Sequence, residues 1–411
     1  MTFYEIFIVL AMLAGFLMAF NLGANDVANA MASSVGAKAI TVRQALLIAG
    51  VLNFAGAVLL GSHVTATISK GIINIDMISD PKILVLGMFA ALLSAALWVL
   101  AATLTGLPVS STHSIVGSIL GFGLVAGGPD IVNWLKMVGI VISWIISPFF
   151  GGLLGFVVFS LIRKKIFHHP QIIPQARRWA PIWIAITASL VVFSLMYKTP
   201  AGKALTWAAE IKLLVALGIS ALAWYVGRYF VIIWCRNLSA CYAGVETIFS
   251  RMQVGTACFV ALTQGANDVA NAIGPVAAVY MVARDHSLAS QVEVPIWLLM
   301  IGGGGIALGI ALLGRRVMVT MGEKITELNN SRGFSVEFGA ATTVLGASVL
   351  GLPVSTTHAA VGSVVGVGLA RGFGAVDFRI LFKIVLYWVL TVPVAAFTCI
   401  VIFQLLRWMI L

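Results

Sequence analysis

The sequence has few charged residues. Asp, Glu, Lys and Arg make up 9% of its 411 residues, whereas a soluble domain contains about 25%. Hydrophobic residues make up 61%, so the composition excludes an ordinary soluble enzyme and a disordered chain and predicts a polytopic helical membrane protein. The net charge of +11 does not indicate a nucleic-acid partner, because the basic residues lie in short connectors, where they orient the chain and contact lipid headgroups.

Cysteine pairs and catalytic motifs are also missing. The four cysteines form no CxxC pair and show no zinc spacing, and no HExxH motif occurs. We therefore predict neither a cofactor nor an intramembrane enzyme. The N-terminus lacks the basic region and the cleavage site of a signal peptide, so it is interpreted as the first membrane helix.

Apolar runs dominate the sequence, and a membrane crossing needs about 20 such residues. The runs predict an all-α polytopic membrane protein with about twelve transmembrane segments. Stretches near 22–37, 105–127 and 350–371 contain Gly, Pro, Asn or Ser, which predicts broken or re-entrant helices. The predicted segments are 3–21, 44–62, 83–104, 112–127, 136–162, 179–197, 209–234, 253–282, 295–314, 335–349, 357–371 and 380–406.

Two motifs repeat along the chain. GANDVANA occupies 23–30 and 265–272, and GLPVSSTHSIVGS at 106–118 returns as GLPVSTTHAAVGS at 351–363. Seven predicted crossings separate the GANDVANA copies, and an odd number means that the two repeat units are inverted, as in many secondary transporters. The predicted division is unit 1 at 1–162, a linker with two segments at 163–252, and unit 2 at 253–411.

Each GANDVANA copy places one Asp in apolar surroundings, where an ionisable group indicates function. The Asn three residues later shares its helix face. We expect an unwound backbone at the first Gly of each copy, Gly23 and Gly265, and such a cluster of oxygens suits Na⁺. Helix capping by the Asp is the alternative, which two identical copies disfavour. The predicted sodium ligands are Asp26, Asn29, Asp268, Asn271, Ser110 and Ser355.

Each GLPVS copy predicts a helix N-terminus. Its Pro interrupts a preceding helix, and Ser110 and Ser355 should cap helices over 111–125 and 356–370. Free backbone N–H groups, hydroxyls and the helix dipole attract an anion there, although plain capping with hydroxyl back-bonding is the alternative. Inversion would bring the two N-termini face to face around an oxyanion, which predicts anion ligands at Ser110, Ser111, Thr112, Ser355, Thr356 and Thr357.

These paired motifs resemble those of the inorganic phosphate transporter family, over about residues 3–407. The sequence looks like a compact prokaryotic member, without the long central loop of eukaryotic relatives. The resemblance implies symport of phosphate with Na⁺ or H⁺ by alternating access. It also implies that Asn25 and Asn267 bind phosphate beside the two Asp residues. Gln264 stands where eukaryotic relatives often carry His, and this departure leaves its role open as a phosphate or ion ligand. Glu337 resembles a family carboxylate, which implies an ion or proton role.

Sodium-coupled uptake of inorganic phosphate is therefore the leading hypothesis. Proton-coupled transport of phosphate or sulfate is the alternative, and an anion channel is disfavoured because it would not need two Asp residues beside the anion. We predict a multi-pass protein of the inner (plasma) membrane, and the positive-inside rule favours an orientation with both termini outside. The sequence does not fix the oligomeric state, so a homodimer stays open.

Overall fold

Thirteen α-helices make up most of the computed structural model, which describes residues 2–61, 71–78, 80–198, 207–238, 241–285, 294–349 and 354–410. All twelve predicted segments are helices, and the short α10 is additional. The helices are α1 (Phe3–Gly36), α2 (Val42–Leu60), α3 (Pro81–Thr105), α4 (Ser111–Gly127), α5 (Trp134–Ile162), α6 (Ile172–Lys198), α7 (Ala209–Trp234), α8 (Tyr242–Asp285), α9 (Ile296–Leu313), α10 (Arg315–Val319), α11 (Asn330–Val349), α12 (Thr356–Leu369) and α13 (Phe378–Ile410).

The membrane assignment is supported by helix length and composition. Within the described ranges, eight helices are long and apolar enough to cross a membrane. The apolar helices α4 and α12 are shorter, as expected for the re-entrant elements that the GLPVS motifs predict. The fold is thus an all-α polytopic membrane architecture with interrupted helices.

The break between α3 and α4 is confirmed. Gly106 ends α3 in a left-handed conformation with φ of 73°, which glycine adopts without steric cost. Ser110 then caps α4, where its hydroxyl accepts the backbone N–H of His113 at 3.2 Å. Ser355 caps α12 in the same way, so both predicted helix starts are correct, while 351–353 lie outside the described residues.

The expected break at 22–37 is wrong, because α1 runs without interruption through the first GANDVANA motif. The second copy is equally helical within α8. A Cβ atom added to Gly23 would lie 2.0 Å from the carbonyl oxygen of Ile306, and one added to Gly265 would lie 2.1 Å from that of Asn53. These glycines therefore allow close approach of a neighbouring helix and do not unwind the backbone.

Packing joins the two repeat units in matched pairs. Helix α1 packs on α9 while its counterpart α8 packs on α2, and α4 packs on α13 while α12 packs on α5. The linker helices α6 and α7 pack on each other, and α6 also contacts α8 and α11. The predicted division into 1–162, 163–252 and 253–411 stays a prediction, although its second boundary falls within α8.

Candidate functional site

The predicted site assembles around the Asp26 carboxylate, which is completely buried. Ser111, in the first turn of α4, donates its hydroxyl to Oδ2 at 2.7 Å. Thr357, in the first turn of α12, lies 3.4 Å from Oδ1. The N-terminal turns of α4 and α12 therefore meet at one carboxylate, although the two helices begin 245 positions apart in the chain.

The asparagines of both motifs reach across to the opposite unit. Asn29 donates its amide to Thr357 Oγ1 at 3.0 Å and lies 3.4 Å from Thr356 Oγ1. Asn271 makes the equivalent contact with Thr112 Oγ1 at 3.4 Å. Each GANDVANA helix is thus linked to the helix N-terminus of the other unit, as inverted symmetry requires.

The second motif adds a carboxylate and an amide. Asp268 is buried, with 2% of its surface exposed, and it lies near enough to Asp26 for their charges to interact. Gln264 donates its side-chain amide to the backbone oxygen of Asp26. Two carboxylates of the same sign thus share a site that is almost free of solvent, and a bound cation would relieve their repulsion.

Asn25 has a different place from the other predicted ligands. Its amide nitrogen donates to Thr103 Oγ1 at 3.0 Å and to the Leu107 carbonyl at 3.1 Å. Its oxygen accepts the Val109 backbone N–H at 3.1 Å. Both amide hydrogens are therefore used, so in this structure Asn25 holds the loop between α3 and α4 in place.

A cavity of about 40 Å³ opens beside the carboxylates between α8, α11 and α12, and it is larger than the roughly 10–15 Å³ that one water needs. The polar residues that line it are Asn29, Thr263, Gln264, Asn267 and Thr356. The side-chain oxygens of Asn29 and Gln264 are buried and lack a hydrogen-bond partner among the described residues. Buried acceptors are normally satisfied, so these two oxygens are open to a cation, a water or another hydrogen-bond donor in the cavity.

Four aromatic rings stack directly behind the two helix N-termini. His113 stacks on Trp144 with centroids 3.6 Å apart, and His358 stacks on Trp388 at 3.7 Å. The two imidazoles meet edge to face at 4.4 Å. Because each His follows its capping Ser by three residues, this stack fixes the position of one N-terminal turn relative to the other.

Glu337 lies in a second polar cluster, which we call the Glu337 cluster. The carboxylate is buried in α11 and accepts hydroxyl hydrogen bonds at 2.5–2.7 Å from two serines of α1 and one threonine of α8. Gln253 adds a contact at 3.4 Å, and its own side-chain oxygen has no partner among the described residues. The members of the cluster are Ser33, Ser34, Gln253, Thr256 and Glu337.

The partners of Glu337 are residues that the sequence did not single out. Gln253 and Thr256 are three apart and therefore share a helix face, and both interrupt an apolar run, which is the only local signal. Ser33 and Ser34 follow the GANDVANA motif but are 303 or more positions from Glu337. No spacing rule connects such distant positions.

Comparisons with known proteins agree on one family. The family model described as "Phosphate transporter family" matches residues 22–399. Proteins named "Putative phosphate permease" are 48% identical in Pyrococcus abyssi (97% of this chain, 98% of the relative) and 39% identical in Haemophilus influenzae (96% and 95%). A solved structure named "The sodium-dependent phosphate transporter" is 46% identical with a TM-score of 0.90, covering 98% of this chain and 100% of that one.

Proposed function

Because the chain belongs to the phosphate transporter family, we propose that it is a secondary active transporter that couples Na⁺ flow to uptake of inorganic phosphate by alternating access. The observation that carries this proposal is the meeting of two inverted helix N-termini at one buried carboxylate. The sodium dependence named for the similar solved structure supports Na⁺ as the coupling ion.

Sodium binds at the carboxylates of the two GANDVANA motifs. The proposed ligands are side-chain oxygens, which suit this hard cation. They belong to Asp26, Asn29, Asp268 and Asn271, and to Ser110 and Ser355, the residues that cap α4 and α12. The unpartnered oxygen of Asn29 beside a buried carboxylate supports this assignment, because a cation satisfies both. Without a cation, two carboxylates in so dry a site repel each other.

Phosphate binds at the N-terminal turns of α4 and α12. Backbone N–H groups, hydroxyls and the positive ends of two helix dipoles converge there. The proposed phosphate ligands are Ser110, Ser111, Thr112, Gln264, Asn267, Ser355, Thr356 and Thr357, while Asn25 positions the loop that leads into α4. The helix turns supply no Lys or Arg, so bound Na⁺ provides the positive charge, and each ligand raises the affinity of the site for the other.

Glu337 serves as a further ion or proton site. Three hydroxyls and an amide surround its carboxylate, and the unpartnered oxygen of Gln253 gives the cluster one more group that could hold a cation. The cluster and the central site share α1, α8 and α11, since the cavity beside Asp26 is lined by residues of α8 and α11.

The protein lies in the inner (plasma) membrane with both termini outside. This orientation places the stretches richest in Lys and Arg in the cytoplasm, as the positive-inside rule requires, namely 38–43, 163–178, 235–252, 315–334 and 371–379. Phosphate, Na⁺ and lipid are its partners, and no resident cofactor is needed for symport. A homodimer is compatible with this function and is not required by it.

The test is uptake of labelled phosphate by the full-length chain reconstituted in liposomes. An imposed Na⁺ gradient should drive accumulation, and unlabelled sulfate should compete poorly. Uptake that is driven by a pH gradient and is independent of Na⁺ would show that the coupling ion is H⁺ and contradict sodium coupling. Strong competition by sulfate would show that the site also accepts sulfate. Labelled phosphate that equilibrates across the membrane without accumulating would favour a channel.

A further inference from the structure

A groove of about 200 Å³ opens between the end of α5 and α6, at a distance from the transport site. We call it the α5–α6 groove. Its walls are apolar, and Leu161 and Ile186 are 41% and 39% exposed at its edges. The walls are Leu161, Ile162, Ile166, Ile182, Trp183 and Ile186, and the mouth is formed by Lys165 and Trp179.

The groove is already formed in the structure. Its floor residue Ile162 is 1% exposed and belongs to a hydrophobic core shared by α5, α6, α7, α8 and α11. Trp183 is held from behind by Phe338 and Phe334 of α11, with ring centroids 5.4 and 6.2 Å away. A ligand therefore meets a rigid apolar surface and does not have to open it, which lowers the entropic cost of binding.

The mouth of the groove is strongly basic. Lys165 lies with its Nζ 5.6 Å from the ring centroid of Trp179, which holds the ammonium beside the opening. No Asp or Glu occurs between Asp130 and Glu210, and no ion pair engages Lys165 within the described ranges. Exposed Lys164, just before Lys165, and exposed Arg177 and Arg178 in the first turns of α6 add to the positive charge near the mouth.

These two features together define the ligand. An apolar groove between two spanning helices, with exposed edges at Leu161 and Ile186, fits a hydrocarbon chain. An exposed cation beside an aromatic ring at its mouth fits an anionic headgroup. From Trp179 to Ile186 the groove follows α6 for about 10 Å, enough for the upper part of an acyl chain. We propose that the α5–α6 groove binds an anionic phospholipid, with its phosphate at Lys165 and one acyl chain along Trp183.

The test measures quenching of tryptophan fluorescence by bromine-labelled lipid. The full-length chain is placed in phosphatidylcholine vesicles that contain either brominated phosphatidylglycerol or brominated phosphatidylcholine. Subtracting the signal of Trp183→Phe isolates Trp183 from the other tryptophans. Brominated phosphatidylglycerol should quench Trp183 at a lower content than brominated phosphatidylcholine does.

Matched variants separate a built site from general surface charge. Lys165→Gln should weaken the preference for phosphatidylglycerol about fivefold, the effect of one cation at an anionic surface, whereas Lys164→Gln should leave most of it. Leu161→Phe, at a partly exposed position, should reduce quenching by narrowing the groove. Equal quenching by both lipids, or equal effects of the two Lys variants, would overturn the proposal.

Discussion

The two repeat units differ most clearly at the Glu337 cluster and its counterpart in the other unit. Matching the GANDVANA copies and the GLPVS copies aligns each residue of the Glu337 cluster with a residue of the other unit. Ser33 and Ser34 of α1 correspond to Pro275 and Val276 of α8, and Glu337 of α11 corresponds to Leu92 of α3. The counterparts of Gln253 and Thr256 are Ala11 and Ala14. A cluster of five polar residues is thus replaced by five apolar ones.

The apolar version packs as part of the main hydrophobic core. Ala11, Ala14, Leu92 and Val276 are all buried members of it. The counterpart helices α1, α3 and α8 therefore pack at this place with apolar side chains alone. The fold does not need a carboxylate there. A buried carboxylate costs free energy that packing does not return, so the Glu337 cluster is best explained by function, and the contrast with its counterpart makes that argument testable.

The largest effect is expected from Leu92→Glu, which puts the carboxylate of Glu337 at the apolar counterpart. The aligned positions offer no hydroxyl or amide donor, so the new charge would be buried without partners, a change that typically costs about 3–5 kcal/mol. The thermal unfolding temperature in detergent should fall steeply. The control Leu92→Met conserves volume and should change this temperature only slightly. A stable Leu92→Glu protein would show that the two places are not different environments.

Asp26→Asn should come next, because it removes a charge that both units share. The Ser111 and Thr357 hydroxyls would face a neutral amide, and losing a buried charged partner typically costs about 2–5 kcal/mol. Sodium-driven phosphate uptake should therefore fall by at least about 30-fold. The matched control is Asp130→Asn at an exposed carboxylate, which should transport normally. Unchanged sodium dependence in Asp26→Asn would contradict the proposed ion site.

Glu337→Gln should have a smaller and more selective effect. The amide keeps the size of the side chain but loses the charge. The Na⁺ concentration for half-maximal uptake should therefore rise by about tenfold, an effect typical of mutating a residue that supports the ligands of a metal site. Glu327→Gln is the control, since that carboxylate is 86% exposed in its pair with Arg371. If both variants behaved alike, the Glu337 cluster would have only a structural role.

The smallest expected effect is a difference in stability between variants of two tryptophans, each of which stacks on one His of the GLPVS motifs. Trp388 donates its indole N–H to the Pro108 carbonyl at 3.2 Å, whereas the buried indole N–H of Trp144 finds no acceptor among the described residues. Trp388→Phe should therefore lower stability by about 1 kcal/mol more than Trp144→Phe. Denaturant or thermal unfolding of both variants measures the difference. Equal losses would mean that this hydrogen bond does not stabilise the loop before α4.

The sequence predicted the elements better than their environments. Every segment predicted from hydropathy is a helix in the structure. The Pro and Ser of the GLPVS motifs predicted where α4 and α12 begin, because these signals are local. The expected unwinding at Gly23 was wrong for a corresponding reason. The sequence shows that glycine permits an unusual backbone, but only the packed structure shows that the freedom is used for close contact with Ile306.

The candidate site was predicted in part. The repeated motifs identified Asp26, Ser111 and Thr357, and the structure brings them together. The resemblance implied that Asn25 binds phosphate beside Asp26. One step along a helix turns a side chain by about 100°, and the Asn25 amide contacts the loop before α4. The hydroxyl partners of Glu337 were missed because they lie on helices that are far apart in the chain.

By itself, the sequence determined that this is a helical membrane protein with inverted repeats and that its motifs hold buried carboxylates and helix N-termini. Composition, hydropathy and repeats are properties of the chain alone. The tertiary structure decided which oxygen faces which, that Asn25 supports a loop, and that Glu337 has donors while Leu92 has none. These outcomes depend on contacts between residues as many as 331 positions apart, and only the packing of helices brings such residues within hydrogen-bond distance.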